Sequence, residues 1–235
     1  MLKLEQASKL LKSNNFTERR DGLTPELVVL HYTAMKDCAS AAKALCDPER
    51  EVSSHYLIGR DGEVLHLVPE EMRAWHAGAG EWRGAGDVNS RSIGIELDND
   101  GASPFSEPLM AALEALLGPS RGLLAAWGIG PEGVIGHSDM APGRKIDPGR
   151  RFDWQRLARQ GMAVWSDATG DAVDAAQFRT DARAFGYGDV EDTLLLDVVR
   201  MRFRPWASGP LDGTDCAIMA DLAARFGLDR TPAGA

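Results

Sequence analysis

Leu27-Val28-Val29-Leu30-His31 sets four consecutive apolar residues directly before a histidine. Such a run predicts a strand covered on both faces. Val134-Ile135-Gly136 is a shorter strand of the same kind, and it too closes on a histidine, His137. Between them, residues 92–97 alternate, with Ile93, Ile95 and Leu97 on one face and Gly94 and Glu96 on the other. The intervening segments read as helices. Residues 37–46 carry alanines and Leu45 at helical spacing before Pro48, and residues 106–127 are helical in pattern with a break near Gly118-Pro119. Strands alternating with helices predict an α/β core.

Outward from that core, residues 55–59 and 63–68 flank Arg60-Asp61-Gly62, and the Asp-Gly pair predicts a hairpin. Residues 78–86 form a glycine-rich loop around Trp82. Near Trp165 the texture changes. Residues 166–174 are small and acidic, and three helical stretches follow, over 176–185, 192–203 and 214–226. The expected organisation is a catalytic domain over 1–165, a linker over 166–174 and a small all-α three-helix domain over 175–235. A bundle of that size needs docking or tight packing to be stable.

The chain has 235 residues, 44% hydrophobic and 26% charged, as expected of a folded soluble protein. Its formal net charge of -9 argues against nucleic acid or an anionic membrane surface as partner. The three cysteines, Cys38, Cys46 and Cys216, have no CxxC spacing and read as reduced, packed thiols. In the first twenty residues Lys3, Glu5, Lys9 and Lys12 interrupt the leucines, so no secretory apolar region is expected there. No run is long enough to span a bilayer.

Of the five histidines, His31 and His137 end strands, where ligands of open α/β sheets gather. Position alone leaves a structural role open for each. The segment from Gly136 to Gly149 adds weight, because its prolines and glycines constrain a loop that carries His137, Lys145 and Asp147 together. His66 reads as a half-exposed strand residue and His55 as support for the sheet or the ligand-bearing loops.

With these blocks in view, the chain resembles the zinc-dependent N-acetylmuramoyl-L-alanine amidases of the AmpD/AmiD type, relatives of the animal peptidoglycan recognition proteins. The resemblance spans about residues 15–167. It rests on Arg20-Asp21-Gly22, on Val29-Leu30-His31-Tyr32-Thr33-Ala34 and on Val52-Ser53-Ser54-His55-Tyr56-Leu57-Ile58. Ala74-Trp75-His76-Ala77-Gly78, Asn89 with Ser92-Ile93-Gly94-Ile95-Glu96-Leu97, and the whole 136–149 loop complete it. It implies a mixed central sheet flanked by helices, with His31, His137 and Asp147 as the metal ligands. Two neutral imidazoles and one carboxylate leave zinc a net charge of about +1 and a fourth position for water. Zinc can lower the pKa of such a water from ~16 to about 7.

Under the same resemblance Glu96 is the general base and then acid, and Lys145 stabilises the oxyanion. A supporting carboxylate and a loop anchor are the rival roles. Trp75, His76 and Ala77 are expected to line the substrate groove, and Asn89 to bind a peptide backbone. The implied reaction is hydrolysis of the bond between N-acetylmuramic acid, or its anhydro form, and L-alanine. The implied partners are muropeptides, including 1,6-anhydromuramyl peptides. A non-catalytic recognition protein of the same fold is the alternative.

The tail resembles a peptidoglycan-binding three-helix domain through Phe185-Gly186-Tyr187-Gly188, Phe203-Arg204-Pro205 and Leu211-Asp212-Gly213. Val199-Arg200 stands where that family usually has Phe-Gln, so a buttress for the catalytic domain is expected rather than a glycan-binding module. A cytoplasmic recycling enzyme is the expectation for location, with the periplasm as the alternative.

Overall fold

The structure is a computed structural model that describes residues 8–228. The expectation of no secretory segment falls partly on residues 1–7, and the end of the expected bundle on 229–235; both lie outside the described residues.

The first half of the fold runs β1 (Ser8–Leu10), β2 (Phe16–Glu18), β3 (Leu27–Tyr32), α1 (Cys38–Cys46), β4 (Tyr56–Ile58), β5 (Val64–His66), β6 (Met72–Ala74), α2 (Val88–Arg91) and β7 (Ser92–Leu97). The second runs α3 (Glu107–Leu117), α4 (Leu123–Trp127), β8 (Val134–Gly136), α5 (His137–Met140), α6 (Trp154–Arg159), α7 (Ala175–Phe185), α8 (Asp192–Phe203) and α9 (Gly213–Phe226). Local signals set several boundaries. Asp37 caps α1 by accepting from the Ser40 N–H, and Asp212 caps α9 through the N–H groups of Thr214 and Asp215. Gly118 follows the last turn of α3, as the Gly-Pro pair predicts.

Six strands form one mixed sheet in the order β1-β5-β4-β7-β3-β8. β4, β7, β3 and β8 run parallel, and β5 turns back antiparallel to β4 as the hairpin predicts. β2 and β6 pair in a separate two-stranded ribbon. In register, His31 lies opposite Glu96, and Leu30 lies opposite both Ile95 and Gly136. His137 follows Gly136, so Glu96, His31 and His137 form one row across three neighbouring strands about 5 Å apart.

Alternation divides the sheet residues between two layers. Val28, Leu30, Ile93, Ile95 and Val134 face a core built with α3, α4 and α6. Leu27, Val29 and Ile135 face the opposite side, where they share one cluster with Trp82 of the glycine-rich loop and with Phe185, Val198, Phe203 and Leu222 of the bundle. Leu57 and Leu65 meet α1 on that same side through Ala41, Ala42 and Leu45. The bundle therefore completes the core of the sheet. Gly186 allows its closest approach, since a Cβ there would stand 2.8 Å from the Trp82 ring.

Arg200, half of the unexpected Val199-Arg200 pair, is 4% exposed and holds the buried Asp215 at 2.6 Å. Its guanidinium also donates to the carbonyls of Gly209 and Pro210. The substitution thus builds an internal lock for the bundle.

A core shared between sheet and bundle predicts one cooperative unfolding transition. Phe185→Ala removes a fully buried ring that packs edge-on against Trp82, and is expected to cost about 3–5 kcal/mol while moving that single transition down. Calorimetry checks this, and two separate transitions, with the upper one unmoved by the substitution, would contradict it.

Candidate metal centre and groove

His31 leaves the carboxyl end of β3, His137 opens the short α5 turn, and Asp147 returns on the loop that follows. Their ligand atoms converge. His31 Nδ1 lies 2.8 Å from Asp147 Oδ2 and 2.9 Å from His137 Nδ1, and His137 Nδ1 lies 3.1 Å from the same carboxylate oxygen. All three residues are buried.

The surrounding hydrogen bonds determine where the imidazole protons sit. His137 Nε2 faces the Ala77 carbonyl at 2.8 Å, and a carbonyl only accepts, so the proton is on Nε2 and Nδ1 presents a lone pair. The His31 tautomer follows from a longer chain. Ser92 donates its hydroxyl proton to the Val88 carbonyl, so it can only accept from His76 Nε2–H at 3.2 Å. His76 Nδ1 is then an acceptor for His31 Nε2–H at 3.1 Å, which leaves a lone pair on His31 Nδ1. Burial, followed by repulsion from His137, pulls the His31 pKa down to about 4, and burial holds His76 well below its ordinary value, so both rings are neutral near pH 7.

With the rings in their neutral form, two imidazole lone pairs and a carboxylate oxygen face one another at about 3 Å. A cation placed among them turns three mutual repulsions into three bonds. Separations of this size suit ligands of a small tetrahedral ion, for which ligand bonds of about 2.0–2.2 Å are usual. The donor set fits a metal ion.

The remaining expected residues divide between the groove and its supports. Glu96 faces the groove beside His31, and its Oε2 is buried without a hydrogen-bond partner. Burial, reinforced by the negative charge of Asp147, pushes its pKa up to about 8. Lys145 is half-buried in the same groove, and its charge opposes that rise. Trp75 also lines the groove, its N–H held by Ser53 Oγ at 2.9 Å.

His76 reaches the groove, but its ring is engaged from both ends by His31 and Ser92. It lies flat against β7 where a Cβ on Gly94 would come within 2.4 Å of it, so glycine is required there. Ala77 is buried and contributes its carbonyl to His137 and to Arg144. Asn89 lies under the loop, buried, its Oδ1 accepting from the N–H groups of His76 and Ala77 at 3.0 and 2.8 Å. It thus shapes the loop that orients both histidine ligands.

His55 is a buried support, accepting from the Gly94 N–H at Nδ1 and donating to the Met72 carbonyl from Nε2. His66 is half-buried and stacks on Tyr56. Ser92 and Arg144 were not singled out from the sequence. Ser92 leaves no local signal, since its role depends on a ring sixteen positions away in the chain.

The groove has a volume of about 550 Å³ and lies between α1, which lines it with Ala41, Ala44 and Leu45, and the loop from Arg144 to Asp147. A buried two-histidine, one-carboxylate centre that could hold a metal ion, at the carboxyl end of a parallel sheet and opening on a groove of ligand size, defines a candidate active site.

Comparison with known proteins gives the family. Residues 21–150 match the N-acetylmuramoyl-L-alanine amidase family, and the chain belongs to it. It is 37% identical to the N-acetylmuramoyl-L-alanine amidase AmiD of Escherichia coli (strain K12) over 87% of the chain and 84% of that relative. It is 32% identical to the 1,6-anhydro-N-acetylmuramyl-L-alanine amidase AmpD of the same organism over 64% of the chain and 90% of AmpD.

The solved structure of E. coli AmiD with its substrate anhydro-N-acetylmuramic acid-L-Ala-D-gamma-Glu-L-Lys superposes with a TM-score of 0.79 at 32% identity, covering 92% of this chain and 100% of the chain in that structure. AmpDh3 of Pseudomonas aeruginosa, in complex with anhydromuramic pentapeptide, superposes with a TM-score of 0.76 at 32% identity, covering 90% and 96% of the two chains.

The raised pKa of Glu96 has a consequence for the metal-free protein. The folded state keeps a proton that the unfolded chain releases above the ordinary carboxyl value of 4.5, so this residue's contribution to stability falls as pH rises from there to about 8. Glu96→Gln is expected to flatten that part of the slope in urea melts of chelated protein at pH 5 and pH 8. Equal slopes in wild type and variant would show that Glu96 ionises normally.

Proposed function

We propose that the chain hydrolyses the amide bond between N-acetylmuramic acid, or its 1,6-anhydro form, and the L-alanine of a peptidoglycan stem peptide, with zinc as the ion held by His31, His137 and Asp147. The observation that carries this reading is the set of three proton-free donors beside an unpartnered, protonatable carboxyl group. Zinc suits two nitrogen ligands and one oxygen, and when bound it supplies Lewis acidity towards the scissile carbonyl and an attacking water.

The chain's own residues do the rest. Glu96, whose carboxyl group faces the groove with Oε2 free of any hydrogen-bond partner, takes a proton from the attacking water and returns one to the departing amine of L-alanine. Lys145 presents a positive charge to the oxygen of the tetrahedral intermediate. Trp75 offers an aromatic face to the sugar or the lactyl-peptide. Arg50, Arg144 and Lys145 line the groove with cations in a chain whose net charge is -9, which suits a stem peptide bearing free carboxylates.

In the proposed division of labour residues 1–165 carry the chemistry, 166–174 link, and 175–235 buttress the sheet. A non-catalytic recognition protein of this fold has no need of a complete donor set, and all three donors stand here.

The cytoplasm is the proposed location, because Cys38, Cys46 and Cys216 are unpaired and suit a reducing compartment. The periplasm is the alternative, favoured by the resemblance of the tail to a wall-binding domain. No helix among the described residues is long and apolar enough to cross a membrane.

Mass analysis of products from defined anhydromuramyl and muramyl peptides, with and without chelator, tests the reaction. Free stem peptide is expected in the absence of chelator, with loss on chelation and recovery on adding zinc. Chelator-insensitive cleavage would contradict the metal role, and no cleavage of any muropeptide by zinc-replete protein would favour the recognition reading. Glu96→Gln and Lys145→Met should each lower turnover by roughly 10²-fold or more with zinc still bound. Near-normal turnover in either variant would remove that residue from the mechanism.

A further inference from the structure

Asp139 stands two residues after His137 in the four-residue turn α5, and it is 1% exposed. Its carboxylate has three partners in two parts of the fold. Oδ2 accepts at 2.7 Å from the Gly136 N–H, which belongs to the Ile135–Gly136 peptide at the end of β8. The same oxygen accepts from Arg202 of α8 at 2.6 Å, and Oδ1 accepts from the hydroxyl of Tyr187, just beyond α7, at 2.8 Å. Two of the three groups that hold Asp139 belong to the bundle.

Arg202 is 2% exposed and does more than neutralise Asp139. Its second terminal nitrogen donates to the Val134 carbonyl at 3.0 Å, and its guanidinium lies 4.3 Å from the centre of the Trp154 ring. Val134 begins β8, a three-residue strand at the end of the sheet that, among the described residues, pairs only with β3. Arg202 therefore grips the edge strand at its start and the following turn at Asp139. His137 lies between these two points of attachment.

We propose that Arg202 and Tyr187 are positioning residues of the metal site. By holding Asp139 they fix the Ile135–Gly136 peptide, the backbone that leads into His137, and with it the direction of His137 Nδ1. This assignment rests on the reading of His31, His137 and Asp147 as metal ligands. It makes the bundle a working part of the centre, beyond the covering it gives the sheet. A short edge strand and a single helical turn have few contacts of their own to resist tilting. A carboxylate buried without its cationic partner is costly enough to neutralise or move. Loss of Arg202 therefore releases the acceptor of the Gly136 N–H and lets the ligand turn relax.

The bundle supplies its own control. Arg200, two residues earlier on α8, forms an equally buried pair with Asp215, and its hydrogen bonds run to Asp215, Gly209 and Pro210 within the bundle. Arg200→Met and Arg202→Met each break one buried ion pair on the same helix, and only the second touches the ligand turn. The experiment measures zinc affinity of the folded full-length proteins by competition with a chromophoric chelator, alongside thermal melting, kcat and KM.

Arg202→Met is expected to weaken zinc binding by about 10-fold or more, the range seen for groups that orient metal ligands, and to lower kcat more than it raises KM. Tyr187→Phe, which keeps the ring and the charge pair, should weaken zinc binding in the same direction and serves if Arg202→Met fails to fold. Arg200→Met should lower the melting temperature and leave zinc affinity at the wild-type value.

Wild-type zinc affinity in Tyr187→Phe and in any folded Arg202→Met would overturn the proposal. So would an equal loss of affinity in Arg200→Met, which would assign the effect to general destabilisation. A wild-type protein that holds no zinc would overturn the metal-site reading itself and this inference with it.

Discussion

Three electron-pair donors are held face to face without a proton among them, and much of the surrounding structure exists to keep them so. His31 and His137 would each be more comfortable with a hydrogen on Nδ1 directed at Asp147. Neither has one, because Nε2 of each is committed elsewhere, His137 to the Ala77 carbonyl and His31 to His76. The commitment of His76 depends in turn on Ser92, whose own proton goes to Val88. The Ala77 carbonyl is where it is because Asn89 holds the two N–H groups of that segment. This arrangement could receive a cation, whose binding would offset the repulsion among two imidazole lone pairs and a carboxylate oxygen.

The sheet places these groups through register alone. Parallel pairing of β3 with β7 and β8 sets Glu96, His31 and His137 in a single row, with the loop of Asp147 folding over its end. Below the row the same face is apolar, and there the bundle covers it. Towards β4 the face is covered by α1, whose Ala41 and Ala44 are small enough to leave space. The groove is the interval between these two covers. Its floor holds Glu96, whose carboxyl pKa burial pushes up to about 8 in the metal-free protein, and its walls carry cations.

Much of this was legible in the sequence, for identifiable reasons. Apolar runs ending on His31 and His137 mark buried strands and their carboxyl ends, and strict alternation in β7 separates Glu96 from Ile93, Ile95 and Leu97. These are local patterns, and the structure keeps them. The Asp61-Gly62 hairpin and the helix stop at Gly118 are local as well. Asp147 was legible as a member of the Pro/Gly-constrained loop that also carries His137 and Lys145, and its role as a ligand came only through resemblance, because a loop aspartate carries no periodic signal. Asn89 and Ala77 were expected in contact with substrate; both are buried, Ala77 within the loop and Asn89 beneath it. Whether a side chain turns towards a groove or away from it depends on partners distant in sequence, and the bonds to residues 76 and 77 cannot be read from residue 89.

The tail is instructive in the same way. Its helices were evident from spacing, and the departure at Val199-Arg200 was evident from resemblance. That Arg200 closes on Asp215 while Arg202 crosses to Asp139 depends on which face of α8 meets the sheet. The small strand β1 beside β5, and the sharing of one core between sheet and bundle, are likewise products of long-range packing that local periodicity does not encode.

The central claim concerns two protons, and long-range 1H–15N correlation of the histidine rings in the zinc-loaded protein observes them directly. The account predicts that His31 and His137 both carry their proton on Nε2, with Nδ1 showing the nitrogen shift of a metal ligand. A proton on Nδ1 of either ring, or ligation through Nε2, would contradict it.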